Sequence, residues 1–521
     1  MKRTIAIIVA AFWVVVTYAQ GVDTLRFSNE FQCGRIGDVQ LISADSALIA
    51  GVRKVPHLTY EVTSAKDPLN PVDTLLAPSS RWFYFMMTGT KDKVVTINLI
   101  DTDPVAPVYS YDNKNWMRYD TTEVLAPLSV TKFYERDTVF MAYYVPYTND
   151  HLEEMMQEWQ YRSGVSIFSI GKSYQGRDMK MMVVSSPYGS IKGKKRIYIH
   201  GRVHPSETPC SWCLEGLIEA LLAPTPYARA LRENAVFYIL PFNNPDGVAL
   251  GHSRCDAIGV NMEINYGQPD SLTRPEVKNI KKFIETTTYG ENYLDLMLNF
   301  HSQIFPANTY WVHSEETTST PFFLKEILFT SLTTSENTLF SNRYMSFSKM
   351  APRYIEGWFW DNAGEHTLAI THETSYSYYN NNPSGEWVTI ENLKKLGERT
   401  LWAISDFLEI ENPSRIIVHP FKATDCEKIG NNDELIIFGK HCYLAEKAGA
   451  TVTYRYKDLP EGEYEVMVWK VGRKSDARTD GLNCWEKLYD HTQSDKGLFT
   501  LKIQLSEGEM ADAVMLKTLY R

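Results

Sequence analysis

Residues 196–207 read Arg-Ile-Tyr-Ile-His-Gly-Arg-Val-His-Pro-Ser-Glu, an apolar run that leads into a histidine and a glutamate. The apolar run predicts a buried strand. Thr208 as N-cap and Pro209 as first helical residue predict that a helix follows. An imidazole and a carboxylate three residues apart can bind one cation, and zinc favours such ligands. His204 and Glu207 are therefore predicted to be zinc ligands on a strand-to-helix loop.

Two further apolar runs end in residues that would complete such a site. His301 follows the run from Leu296 to Phe300, and Glu373 closes a run that starts at Leu368. Open α/β folds place their chemistry at the carboxyl ends of strands, so these residues are expected at one sheet edge. A catalytic zinc site needs a third protein ligand and an open position. The sequence therefore predicts His301 as the third ligand of one zinc ion per chain, and Glu373 as the general base for the attacking water.

The order of predicted elements divides the chain into three parts. From about Leu152 to Leu408 strands and helices alternate, which predicts an α/β domain with a mixed, mainly parallel sheet flanked by helices. Short β-type runs before it predict an N-terminal β-sandwich domain, and strand patterns after it predict a small C-terminal β-domain resembling a sandwich. The predicted boundaries are 20–150, 151–410 and 411–521.

The composition restricts the class of protein. A chain of 521 residues is too long for one hydrophobic core, so two or three domains are expected. The formal net charge is −10 at pH 7 and the chain has no long basic run, so a nucleic-acid partner is not expected. No motif in the C-terminal part identifies a partner for that domain.

The first residues have the pattern of a signal peptide. Lys2 and Arg3 precede an apolar stretch from Ile5 to Val16, and small residues stand before a cut ahead of Gln20. The apolar stretch is short for a membrane span. The sequence therefore predicts that residues 1–19 are removed, that no transmembrane segment remains, and that the protein is exported to a periplasm or to the outside.

Four segments form a recognisable set: Arg202-Val-His-Pro-Ser-Glu207, Asn244-Pro-Asp-Gly-Val248, Ser253-Arg-Cys255 and Thr371-His-Glu-Thr-Ser375. Together they resemble the M14 zinc carboxypeptidases, most closely their cytosolic carboxypeptidase-like branch, over about residues 25 to 410. The resemblance implies the carboxypeptidase α/β fold. It also implies that Arg254 stabilises the oxyanion formed at the scissile carbonyl, and that Asn244 belongs to the substrate-binding residues.

The segment Gly259-Val-Asn-Met-Glu-Ile264 departs from the family pattern. Family carboxypeptidases carry Gly-Val-Asp-Leu-Asn-Arg there, and the Asn-Arg pair holds the terminal carboxylate of the substrate. Glu263 replaces the amide and Ile264 replaces the cation. The bidentate hydrogen bonds to the substrate carboxylate are therefore lost, and a negative charge that would repel this carboxylate is added. Glu263 and Ile264 are therefore predicted substrate-binding residues that disfavour release of a free C-terminal residue.

The sequence thus predicts an exported zinc metallopeptidase of the carboxypeptidase type that hydrolyses a peptide or amide bond. One alternative is an amidohydrolase whose substrate lacks a free terminal carboxylate, with Glu263 as its selector. A second alternative is a binding protein that kept the fold and lost catalysis.

Local alternatives also remain at the histidines. His204 could cap the helix while Glu207 pairs with Arg202. His200 could be a fourth ligand, but a position inside the strand favours a buried, hydrogen-bonded histidine. His372 is expected to point to the sheet face opposite Glu373.

Overall fold

The structure is a computed structural model that describes residues 24–126, 128–288, 292–378, 385–430 and 432–519. The predicted signal peptide, residues 1–19, lies outside these ranges. Within them, no helix is both long enough and apolar enough to span a membrane.

Between residues 24 and 142, the part of the chain that the structure describes forms strands and no helix. These strands are β1 (Arg26–Ser28), β2 (Val39–Ile49), β3 (Arg53–Thr63), β4 (Tyr84–Thr88), β5 (Lys93–Ile100), β6 (Val108–Ser110), β7 (Trp116–Arg118), β8 (Val124–Ala126), β9 (Ser129–Tyr134) and β10 (Thr138–Ala142). They form two sheets, in the orders β1-β4-β10-β6-β7 and β2-β3-β5-β9-β8. The sheets pack face to face through aromatic side chains; the ring centroids of Phe27 and Tyr60 are 5.0 Å apart. An N-terminal β-rich domain is thereby confirmed.

The central part combines one sheet with helices on both faces. Its strands are β11 (Val165–Lys172), β12 (Asp178–Val184), β13 (Lys195–Gly201), β14 (Ala235–Leu240), β15 (Leu296–Gln303), β16 (Thr309–His313), β17 (Ser346–Ser348) and β18 (Leu368–Ser375). Its helices are α1 (Asn149–Trp159), α2 (Thr208–Leu222), α3 (Pro226–Asn234), α4 (Pro245–Leu250), α5 (Pro275–Thr287), α6 (Thr320–Thr334), α7 (Ile355–Ala363) and α8 (Ile390–Phe407).

The strand order of the central sheet is β11-β12-β14-β13-β15-β18-β16-β17. The four middle strands, β14, β13, β15 and β18, run parallel, and antiparallel pairings flank them. The predicted mixed, mainly parallel α/β sheet is confirmed. Parallel strands bring their carboxyl ends to one edge, and His301 of β15 lies in register with Glu373 of β18.

Helices α2 and α8 cross at two glycines on one face of this sheet. A Cβ atom on Gly397 would lie 2.0 Å from the carbonyl oxygen of Cys213, and one on Gly216 would lie 2.3 Å from the Cα of Lys394. Neither position therefore leaves room for a side chain. The loop that carries His204 and Glu207, here called the metal loop, leads directly into α2, so this crossing fixes the helix that follows the loop.

The carboxyl-terminal part returns to strands. These are β19 (Arg415–Val418), β20 (Pro420–Thr424), β21 (Cys426–Ile429), β22 (Cys442–Ala445), β23 (Ala450–Leu459), β24 (Gly462–Lys470), β25 (Cys484–Gln493), β26 (Gly497–Leu505), β27 (Met510–Ala511) and β28 (Val514–Thr518). The C-terminal β-domain is thereby confirmed. Buried Arg415 of β19 pairs with Asp406 of α8 at 2.5 Å and with Glu336, just after α6, at 2.9 Å, which ties this part to the central helices.

We expect Gly397→Ala to destabilise the protein although alanine is the better helix former. Alanine in a helix interior gains about 0.5–1 kcal/mol over glycine, but the overpacked crossing should cost about 1–3 kcal/mol. Scanning calorimetry should show a lower Tm. The control is Gly430→Ala, where the nearest neighbouring atom would be 4.0 Å from the added Cβ. An unchanged or raised Tm for Gly397→Ala would contradict the close crossing.

Candidate metal centre

The loop between β13 and α2 is held by a buried arginine. Arg202 adopts a left-handed backbone conformation, with φ of 60°. Its Nε donates to the Pro205 carbonyl at 2.8 Å and its Nη1 donates to the Tyr147 carbonyl at 3.0 Å. The guanidinium therefore shapes the loop backbone, and the alternative in which Glu207 pairs with Arg202 is wrong.

Helix α2 begins at Thr208, and Glu207 occupies the N-cap position. The start is thus one residue earlier than predicted, and Thr208 is not the N-cap. The difference has a physical cause, because the Glu207 carboxylate turns away from the helix backbone towards two histidines.

Three buried side chains converge at the carboxyl ends of β13 and β15. Glu207 Oε1 is 2.7 Å from His204 Nδ1, and Glu207 Oε2 is 2.9 Å from His301 Nδ1. The two Nδ1 atoms are 3.2 Å apart. The backbone N–H of Ser302 also donates to Glu207 Oε2, at 3.1 Å. His204, Glu207 and His301 thus present one oxygen and two nitrogen atoms to a common point.

This donor set fits zinc. Catalytic zinc sites use two histidines and one glutamate, with Zn–N distances of about 2.0–2.1 Å. Tetrahedral geometry with such bonds separates the ligand atoms by roughly 3.3 Å. The two Nδ1 atoms are 3.2 Å apart, close to this value, whereas the Glu207 oxygens lie 2.7 and 2.9 Å from them, so the glutamate would move outward by a few tenths of an ångström to bind the ion. Burial alone would raise the pKa of Glu207, but His204 and His301 hold it well below its usual range.

Glu373 lies beside this cluster on the next strand. It pairs in register with His301 across β15 and β18. Its side chain is buried, and Glu373 Oε2 has no hydrogen-bond partner among the described residues. Burial raises the pKa of Glu373 to about 8, opposed by His301 and assisted by Glu207.

Arg254 reaches the cluster through a second glutamate. Its guanidinium donates to Glu263 Oε2 at 2.8 Å, and the same oxygen is 3.3 Å from His204 Nε2. Burial would raise the pKa of Glu263, but His204 and Arg254 hold it well below its usual range. Glu263 and Ile264 belong to a short 3₁₀ turn, Met262–Ile264. The structure thus brings Glu263 against a metal-ligand candidate and places Ile264 at the end of the same turn.

Asn244 has a structural role rather than the predicted role in substrate binding. Its Oδ1 accepts the backbone N–H of Gly247 as the N-cap of α4, and its Nδ2 donates to the carbonyls of Val203 and Cys255. Asn244 is fully buried. These bonds occupy its amide inside the fold, where it joins the metal loop to the Arg254 loop, so the assignment of Asn244 to substrate binding is corrected.

His200 and His372, the two other histidines considered in the sequence, have the positions predicted for them. His200 is buried, with Nε2 2.9 Å from Asn299 Oδ1 and Nδ1 2.9 Å from Asn243 Nδ2, so the hydrogen-bonded histidine is confirmed. His372 is also buried and stacks on Tyr310 with ring centroids 4.6 Å apart, on the sheet face away from Glu373.

Sequence reasoning missed two residues that contact the site. Asn261 Oδ1 lies 3.2 Å from His204 Nε2; the family motif, which has an acid at this position, was a signal that could have found it. Asp67 binds the backbone of Arg254 from the N-terminal domain. No local pattern marks Asp67, because its partners are far away in the chain.

Comparison with known proteins agrees with this geometry. Residues 152–357 match the zinc carboxypeptidase family, and residues 37–144 match the cytosolic carboxypeptidase N-terminal domain. The first match includes His204, Glu207, Arg254 and His301, while Glu373 lies beyond it. The chain therefore carries an M14 zinc carboxypeptidase domain preceded by a cytosolic carboxypeptidase N-terminal domain.

Individual relatives are distant. Cytosolic carboxypeptidase 6 of Mus musculus is 29% identical over 303 residues, which cover 52% of this chain and 53% of the relative. Cytosolic carboxypeptidase-like protein 5 of Homo sapiens is 26% identical over 326 residues, covering 49% and 36%. The chain thus spans about half, or less, of the length of these curated relatives.

Solved structures support the fold. A metallo-carboxypeptidase from Burkholderia cenocepacia superposes with a TM-score of 0.62 at 23% identity, covering 74% of this chain and 99% of that one. The metallo-carboxypeptidase from Pseudomonas aeruginosa in complex with (2-guanidinoethylmercapto)succinic acid gives a TM-score of 0.59 at 21% identity, with coverage of 74% and 99%.

The prediction that the protein is exported to a periplasm or to the outside is contradicted. It rested on the charge and hydropathy of the first residues alone. The domain match over residues 37–144 and the names of the mouse and human relatives point to cytosolic proteins rather than exported ones.

We expect His204→Ala and His301→Ala each to empty the metal site. Removing one of three ligands from a site of this kind should lower the zinc content from about one ion per chain to nearly none after dialysis. Elemental analysis measures this directly, with far-UV circular dichroism as a check of folding. The control is His366→Ala, which removes an exposed histidine. Full zinc content in both variants would show that the ligands are other residues.

Proposed function

We propose that this protein is a zinc-dependent hydrolase of the metallocarboxypeptidase type that cleaves a peptide or amide bond. One observation carries the proposal: His204, Glu207 and His301 converge at the ends of β13 and β15, with Glu373 beside them on β18. A protein that only binds has no need of a buried carboxylate beside a set of metal ligands, so this arrangement favours the enzyme over the inactive binding protein.

The proposed metal is one zinc ion per chain, held by the imidazoles of His204 and His301 and by the carboxylate of Glu207. When bound, zinc supplies a Lewis acid that polarises the scissile carbonyl and makes water more acidic. The M14 zinc carboxypeptidase match supports this identity of the metal.

Glu373 is the proposed general base. Its Oε2 is buried and has no hydrogen-bond partner among the described residues. With zinc bound, the charge of the cation would oppose the effect of burial and favour the ionised carboxylate, which could then take a proton from the attacking water. The same oxygen then returns that proton to the leaving nitrogen, so that one side chain serves both halves of the hydrolysis.

Arg254 is the proposed electrophile. A fixed guanidinium stabilises the negative charge that develops on the carbonyl oxygen. The bond from Arg254 to Glu263 at 2.8 Å sets the direction of the guanidinium. The same bond also offsets part of its positive charge.

A second candidate function concerns the end of the substrate. Glu263 stands between Arg254 and His204 and is only 14% exposed, so a carboxylate entering there meets a like charge. Ile264 offers no cation. We therefore propose that the substrate presents an amide, a cation or another masked group at this subsite, as in an amidohydrolase, rather than a free terminal carboxylate.

We also propose that the chain functions as three units, residues 20–150, 151–410 and 411–521, with the catalytic residues in the second. The end of α8 at Phe407 and the start of β19 at Arg415 enclose the boundary before residue 411, and α1 begins at Asn149, two residues before the proposed start of the second unit.

Replacing the general base should separate metal binding from turnover. We expect Glu373→Gln to keep zinc while turnover falls by about 100- to 10 000-fold, because the amide keeps the shape but cannot take a proton. Turnover is measured on the fastest substrate found by mass spectrometry of a peptide and amide panel. Glu386→Gln, at an exposed position, is the control. Unchanged turnover in Glu373→Gln would remove it from the mechanism.

Changing the subsite should reverse the preference for the substrate end. Two carboxylates about 4 Å apart repel by about 4 kcal/mol at an effective dielectric of about 20, and Arg254 offsets part of this. We expect the natural protein to cleave amidated peptides at least about tenfold faster than the matching free acids. The double variant Glu263→Asn with Ile264→Arg should prefer the acids.

A competition assay on paired peptides, read by mass spectrometry, measures both proteins. Suppose that the natural protein prefers the free acid and that the double variant shows the same preference. Another cation then holds the carboxylate, and the protein is an ordinary carboxypeptidase.

A further inference from the structure

The segment Ser253–Cys255, here called the arginine loop, is bound by a residue of the N-terminal domain. Asp67 Oδ1 accepts the backbone N–H of Ser253 at 2.7 Å. Asp67 Oδ2 accepts those of Arg254 at 2.8 Å and Cys255 at 3.2 Å. Asp67 is 5% exposed. Three consecutive backbone donors thus surround one buried carboxylate, which is a strong, charge-assisted arrangement.

Ser253 ties the same loop to two further segments. Its Oγ accepts the backbone N–H groups of Arg81 and Trp82, each at 3.0 Å, from the N-terminal domain. Its carbonyl accepts the Ser206 hydroxyl at 2.7 Å, from the metal loop. The arginine loop is therefore held between the N-terminal domain and the loop that carries His204 and Glu207.

Asp67, His252 and Cys255 lie close enough together to suggest a second metal site. Their hydrogen bonds favour a different role. The carboxylate oxygens of Asp67 are directed at three N–H groups, and His252 Nδ1 donates to the Asp256 carbonyl at 2.8 Å, so it carries a proton. Burial raises the pKa of the Cys255 thiol, and Asp67 raises it further. The cluster is thus a hydrogen-bonded clamp.

We propose that Asp67 is a positioning residue for hydrolysis: it fixes the backbone of the arginine loop, so that the Arg254 guanidinium is directed at the reacting carbonyl. This inference rests on the role of Arg254 under the proposed function. The hydrogen bond from Arg254 to Glu263 restrains the guanidinium, and the hydrogen bond to Asp67 restrains the backbone of Arg254. The N-terminal β-domain then completes the catalytic site.

Hydrogen exchange on the full chain tests the clamp without any substrate. In Asp67→Asn, and more strongly in Asp67→Ala, the amides of the arginine loop should exchange about tenfold faster or more, while those of β15 keep their protection. The control is Asp92→Asn, which removes a carboxylate paired with exposed Arg53 in the same domain. Unchanged exchange at the loop in both Asp67 variants would overturn the proposal. It would also be overturned if the natural protein held a second metal ion besides the one proposed at His204, Glu207 and His301, and Asp67→Asn lost that second ion.

A double-mutant cycle tests the link to catalysis. Asp67→Asn should lower kcat by about 10- to 100-fold with little change in KM, since small misplacements of a catalytic group have large effects. In an Arg254→Ala background the same change should have little further effect. Fully additive losses would overturn the positioning role. If Arg254→Ala itself turns over like the natural protein, the proposed function of Arg254 fails, and the exchange result still decides the clamp.

Discussion

The shared carboxylate of Glu207 is the interaction on which the site depends. One oxygen faces His204 and the other faces His301, all three being buried. A buried carboxylate is costly unless positive charge or hydrogen bonds compensate it, so these groups must be brought together by the fold. They come from the loop after β13 and from β15, and the glutamate also marks the start of α2. One contact thus joins two strand ends to the helix.

Most of the ligand set could be predicted from the sequence, because the end of a strand can be recognised from the residues immediately around it. Apolar runs that end in His301 and Glu373 predicted one sheet edge, and the register between β15 and β18 then places the two side by side. His200 was separable from the ligand candidates by its position inside a strand. The start of α2 was misplaced by one residue, since Glu207 takes the N-cap position while its carboxylate serves the histidines.

Other features depend on contacts between distant segments, which local patterns do not contain. Asp67 and Ser253 are 186 residues apart in the chain, so nothing near Asp67 indicated its role. Asn244 was assigned to substrate through a motif, but its amide is used to join two loops. The prediction of export failed for a related reason, because it used the first residues alone and the domain matches contradict it. Short motifs thus indicate the kind of reaction, whereas the roles of Asp67 and Asn244 follow from contacts between distant segments.

The central claim is that one zinc ion is bound by two histidines and a glutamate at the edge of the sheet. X-ray absorption spectroscopy of the zinc-loaded protein tests this directly. The account predicts nitrogen and oxygen neighbours at about 2.0–2.2 Å, with the multiple-scattering pattern of two imidazoles, and no sulfur. A zinc–sulfur distance of about 2.3 Å would place the ion at Cys255 or another thiol, and would contradict the account.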